Sequence, residues 1–137
     1  MLKWLPILLL LPLVGCGRSY YTVPVSGLVT YNGKPVADAA VMFQPVNGGP
    51  PVSGSTDSSG RYIAKTNNIL GIAPGSYKVA ISKQTYSQTA SKAPNVEEIG
   101  GGYYATYHIP KTYANANDSG LTAQIEGPRE DLNFELK

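Results

Sequence analysis

The chain has 137 residues, 42% hydrophobic and 15% charged, with a formal net charge of +2. That is the length of one domain, and its averages exclude collagen-like, coiled-coil and highly charged disordered chains. Near-neutrality without any basic run excludes a nucleic-acid surface built on counterion release, and a single cysteine excludes an internal disulfide.

The hydrophobic residues are unevenly spread: 7 of the 12 leucines fall within the first 16 residues. Lys3 precedes an apolar run from Trp4 to Val14, interrupted by Pro6 and Pro12. Such a run is too short to cross a hydrocarbon core of ~30 Å as a helix. Residues 1–15 therefore read as a secretory signal peptide.

The run ends in Leu13-Val14-Gly15-Cys16, which resembles a bacterial lipobox. The resemblance implies cleavage between Gly15 and Cys16, and a diacylglyceryl group on the Cys16 sulfur completed by palmitate-type chains. The partner so implied is the membrane, with the protein secreted and lipid-anchored in the cell envelope. Gly17 stands where an Asp would retain such a lipoprotein at the inner membrane, so the outer membrane is favoured. The alternative is an ordinary signal peptide with an incidental cysteine. Residues 16–22 form a tether of at most ~20 Å, in which Tyr20 and Tyr21 either rest at lipid headgroups or pack on the domain.

Beyond the leader no helical period survives. Two-residue alternation between turn signals predicts half-buried antiparallel strands. Val23, Val25, Gly27, Val29 and Tyr31 share one face of a first strand, closed by an Asn32-Gly33 turn that needs positive φ. Val41 and Phe43 face inward on a second strand ended by Pro45, followed by a loop at 46–54. Asp57-Ser58-Ser59-Gly60 is a turn signal: Asp57 accepts backbone N–H groups and Gly60 takes the left-handed position, so a hairpin is expected. Residues 67–74 then cross over, and Pro74-Gly75 turns the chain into a strand carrying Tyr77, Val79 and Ile81 to the core.

Residues 84–118 form a long insert, rich in Tyr and Gly, with Gly100-Gly101-Gly102 as a source of mobility. Alternation resumes at Leu121, Ala123 and Ile125. It closes with Leu132, Phe134 and Leu136. The count predicts an all-β fold, one antiparallel sandwich of about seven strands spanning residues 23–137.

Three stretches carry a family resemblance. Val25 to Val41 follows the pattern V-x-G-x-V…G-x-P-x-x-x-A-x-V, Asp57 to Tyr62 reads D-x-x-G-x-Y, and Pro74 to Val79 reads P-G-x-Y-x-V. In this order and spacing they resemble the carboxypeptidase regulatory-like domain, a transthyretin-like (prealbumin-like, Ig-like) β-sandwich. The resemblance implies a non-enzymatic module that accompanies other activities. Its motif residues Asn32, Gly33, Asp57, Gly60, Pro74 and Gly75 are turn residues rather than chemical groups.

Catalysis needs converging titratable groups, and the chain has one histidine, His108. An enzymatic reading would require His108 in a pocket with Glu97, Glu98 or Asp118. The C-terminus, Phe134-Glu135-Leu136-Lys137, departs from the Tyr-Arg-Gly-Ser ending of transthyretin-like hydroxyisourate hydrolases. No zinc set is present in the sequence. Asp57, Ser59 and Asn47 could offer oxygens to calcium, against the simpler role of Asp57 in its turn. Asn133 lies on the last strand, but no lysine on the first strand offers an isopeptide partner. No cofactor is expected. The strongest binding candidates are Tyr86, Tyr103, Tyr104, Tyr107 and Tyr113, half of the ten tyrosines. Tyrosine offers an apolar ring with a polar tip, suited to an envelope protein or a glycan. Alternatively, these rings pack the insert onto the sheets.

Overall fold

Alternation along the first strand places Val23, Val25, Gly27 and Val29 on a buried face. In the computed structural model, which describes residues 21–137, this pattern recurs along the chain. The leader, Gly15, Cys16 and the tether as far as Tyr20 lie outside the described residues. The fold is all-β. Its strands are β1 (Ser26–Tyr31), β2 (Lys34–Pro35), β3 (Ala40–Pro45), β4 (Val52–Ser55), β5 (Arg61–Ile63), β6 (Lys65–Thr66), β7 (Ile69–Leu70), β8 (Gly75–Ser82), β9 (Gln84–Ser87), β10 (Val96–Gly100), β11 (Tyr103–Tyr107), β12 (Leu121–Ile125) and β13 (Phe134–Leu136). A 3₁₀ turn covers Lys111–Ala114.

These strands form three sheets. One runs β12-β8-β3-β4-β6-β7, a second groups β13, β5 and β2 around β1, and a third runs β10-β11-β9. The core lies where the first two meet. Phe43 from β3 packs on Tyr62 of β5 at 5.9 Å between ring centroids and on Phe134 of β13 at 6.2 Å. Tyr77 of β8 meets Phe43 edge-on, and Tyr62 stacks on Phe134. All four rings are buried. Burying each contributes about 2 to 3 kcal/mol of apolar transfer, and offset or edge-on ring pairs add to it.

Several expectations change. The last strand is not antiparallel: β13 pairs parallel with β1, Val29 opposite Phe134 and Tyr31 opposite Leu136. Strand segments are shorter and more numerous than the seven expected. The loop after Pro45 stops at residue 51, because buried Val52 already pairs with Phe43.

The Asp57 turn does close on itself, since Asp57 N–H donates to the Arg61 carbonyl at 2.8 Å. However, its two arms belong to different sheets: β4 pairs β3, whereas β5 pairs β1. Residues 67–74 begin with a hairpin, β6 against β7, around Asn67 and Asn68 at φ 50° and 65°. The insert contains a three-stranded sheet, and Gly100–Gly102, at φ 97°, 63° and 77°, lie at the β10–β11 turn.

Candidate functional site

The insert leaves the body where β8 ends. Here His108 N–H donates to the Lys83 carbonyl at 2.9 Å, fastening the outgoing and returning chains together. Asn95 locks the base of the new sheet: its carbonyl accepts Tyr107 N–H at 2.8 Å, and its amide donates back to the Tyr107 carbonyl at 2.9 Å.

Register then decides which tyrosines meet. Residues directly opposite one another in a sheet share a face. Ala105 lies opposite both Tyr86 and Glu97, Tyr107 lies opposite Gln84, and Tyr103 precedes Ala105 by two. Tyr86, Tyr103 and Tyr107 therefore surround the small, buried Ala105 on one face. Tyr86 is 60% exposed and Tyr103 46%. Gln84 donates its side-chain amide to the Tyr86 hydroxyl.

Tyr104, opposite Glu98 and Ser87, lies on the other face. Tyr113 belongs to neither: it packs against the core from the 3₁₀ turn, its hydroxyl bonded to the backbone of Lys137 at 3.1 and 3.2 Å. Three of the five candidate tyrosines are thus brought together and two are not.

The same face runs into an open cleft of about 680 Å³ between the insert sheet and the body, lined by Tyr31, Asn95, Glu97, Tyr107, His108 and Lys111. Lys111 Nζ sits 2.5 Å from Glu97 Oε2 and 5.4 Å from the centre of the Tyr107 ring. Hydrogen bonding and charge from Lys111 hold the Glu97 carboxyl below its ordinary pKa, and Glu97 in turn raises that of Lys111. The pair is solvent-exposed, so it orients side chains more than it stabilises the fold.

His108 lines this cleft, but its Nε2 lies 3.0 Å from the Thr85 hydroxyl, and Glu97 is taken by Lys111. The His–carboxylate pair that an enzymatic reading requires is not formed by Glu97. Among the described residues no group of three or more His, Cys, Asp or Glu side chains gathers as a metal site. At the Asp57 turn, Oδ1 accepts from Ser59 N–H at 2.8 Å, the Ser59 hydroxyl at 2.7 Å and Arg61 N–H at 3.0 Å. Asn133 spends its side-chain oxygen on Leu28 N–H at 2.9 Å.

Asn95, Lys111 and Tyr31 join the site only through tertiary packing. Ala105 had a sequence cue in the two-residue spacing of Tyr103, Ala105 and Tyr107, where a small residue between two rings marks a shared face. Compared with known proteins, the chain matches no family model, no curated protein and no solved structure.

Proposed function

We propose that this chain is a lipid-anchored cell-envelope protein, a non-enzymatic β-sandwich module that presents the Tyr86–Tyr103–Tyr107 face to a protein partner. The lipobox-like Leu13-Val14-Gly15-Cys16 supports the anchor, and the turn-and-strand motifs support a carboxypeptidase regulatory-like sandwich. The observation that carries the presentation reading is the placement of two features at opposite ends of β8. The tether enters through Val23, which exchanges hydrogen bonds of 2.9 Å with Ile72 just before β8 begins, and the tyrosine-bearing sheet leaves just after Ser82. Eight strand residues separate these ends by roughly 23 Å. A domain held at its Val23 end thus carries the exposed rings away from the attachment point.

The anchor is tested by labelling cells with an alkyne palmitate analogue and comparing wild type with Cys16→Ser. Label and membrane retention in the wild type, both lost in the variant, support it; equal labelling of both overturns it. The interaction face is tested by photo-crosslinking from position 86 in intact envelopes. A defined crosslinked protein that disappears with Tyr103→Ala is the expected result.

A second reading, glycan or peptide recognition, is favoured by one feature: three tyrosines around a recessed Ala105 form a shallow apolar platform with polar tips, the geometry on which sugar rings stack. Crosslinks to glycan strands rather than protein would select it.

A further inference from the structure

The β6–β7 hairpin exposes apolar side chains at a sheet edge. β7 ends the six-stranded sheet, and exposed edges in water are normally short, charged or covered. β7 is short but carries Ile69 and Leu70, neighbours on opposite faces of the strand, 67% and 62% exposed. Ile63 of β5, 52% exposed, lies across a shallow hollow from Leu70 that Pro24 and Pro128 also line. Arg129 and Glu130, of opposite charge, are also among its lining. Both sides of one tip are therefore apolar, which a strand packing on a single protein surface does not need.

The tip also sits where the tether arrives. Thr22 Oγ1 lies 3.5 Å from the Leu70 carbonyl oxygen, and Gly71 is packed so closely on Thr22 and Val23 that a Cβ there would stand 2.9 Å from Thr22 Oγ1. Cys16 is only six residues before Thr22, at most ~20 Å of chain. Lys65 lies opposite Leu70, and the neighbouring groove holds Arg61 and Lys65 together with Asp57 and Glu130, so both charges surround the tip.

We infer that the β6–β7 hairpin is a membrane-contacting wedge: Ile69 and Leu70, with Ile63 behind them, enter the interface of the bilayer that holds the lipid on Cys16. The inference rests on the lipid-anchor reading. It turns a single attachment into a two-point contact, lipid and hairpin, and two-point contacts fix orientation where a single chain does not. The tyrosine face at the far end of β8 is then held pointing away from the membrane.

The test uses the full-length lipidated protein reconstituted into phosphatidylethanolamine–phosphatidylglycerol vesicles. The Cys16 sulfur is blocked by its lipid, so Leu70→Cys, Ile69→Cys and, as a control on β9, Ser87→Cys each offer one thiol for an environment-sensitive fluorophore. The expected result is a blue shift and loss of emission to nitroxide-bearing lipids at 70 and 69, with neither at 87. Water-like emission at 69 and 70 in protein that floats with the vesicles overturns the wedge and leaves the anchor standing. A blue shift without lipid quenching assigns the tip to a protein partner or a second copy and also overturns it. Failure to float removes the anchor reading and the wedge together.

Discussion

The Tyr62 hydroxyl donates to the Leu132 carbonyl oxygen at 2.6 Å, joining residues seventy apart in sequence. Tyr62 ends the D-x-x-G-x-Y stretch and its ring is buried in the aromatic core, so this bond ties β5 to the segment that leads into β13. Leu132 N–H in turn donates to the Ser26 carbonyl at 3.1 Å. The last strand is thereby held beside β1 before its parallel pairing begins.

Tyr62→Phe keeps the ring and removes that bond, and should cost about 1 to 2 kcal/mol, seen as a lower thermal midpoint. Burial also raises the Tyr62 pKa above that of an ordinary phenol, and burial acts in the same direction on Tyr77. The unfolded chain then releases these protons at lower pH than the folded one. Their contribution is complete below about pH 10 and declines as pH rises above it. Thermal melts across that range should show a shallower alkaline decline in Tyr62→Phe than in wild type.

Gly27→Ala tests how closely β1 approaches the last segment. A Cβ on Gly27 would land inside the Leu132 carbonyl, which is backbone and has no rotamer to yield. The expected cost is about 3 kcal/mol or more. Gly102→Ala meets nothing within 4 Å but sits at φ 77°, so only the left-handed backbone opposes it, at about 1 kcal/mol. Equal midpoints for the two variants in urea unfolding would sink this distinction.

Thr56 is the buried polar residue of the described chain, and its hydroxyl accepts the N–H of fully buried Ala39 at 2.8 Å. Thr56→Val keeps the shape and leaves that N–H without a partner, for a loss of about 1 to 3 kcal/mol. Thr56→Ser should restore most of it. Chemical denaturation of the three proteins gives the order.

Asp57 should govern part of the acid limb. The Ser59 hydroxyl first, then the Arg61 and Ser59 N–H groups, hold its carboxyl below the usual aspartate pKa. The folded state thus favours the anion, a contribution present above about pH 4 and lost as pH falls through the lower folded value. Asp57→Ala should unfold more readily at neutral pH and show a flatter decline on acidification.

Tyr86→Ala and Tyr103→Ala remove exposed rings and should leave stability within about 0.5 kcal/mol of wild type. If the insert face binds a partner, crosslinking or retention falls while the thermal midpoint stays put. A collapse of the midpoint would instead assign these rings to holding the insert together.

Turn chemistry and alternation, both local, determined much of this protein by themselves. Val41 and Phe43 are buried while Met42 and Gln44 are exposed, as the period of two requires. Asn32 and Gly33 adopt positive φ because only residues tolerant of that region close such a turn. Tertiary structure alone decided what depends on distant pairing. The Asp57 turn does not specify that its arms enter different sheets, and nothing near Phe134 specifies a parallel partner more than a hundred residues earlier. Within the insert, composition supplied the tyrosines, but a one-residue change of register would exchange their faces. The pairing of Ala105 with Tyr86 therefore selects which rings share a surface. The lipobox-like Leu13-Val14-Gly15-Cys16 is a reading of the sequence alone, since it lies outside the described residues. The apolar tip at Ile69 and Leu70 gains its meaning only once Thr22 is seen packed beside it.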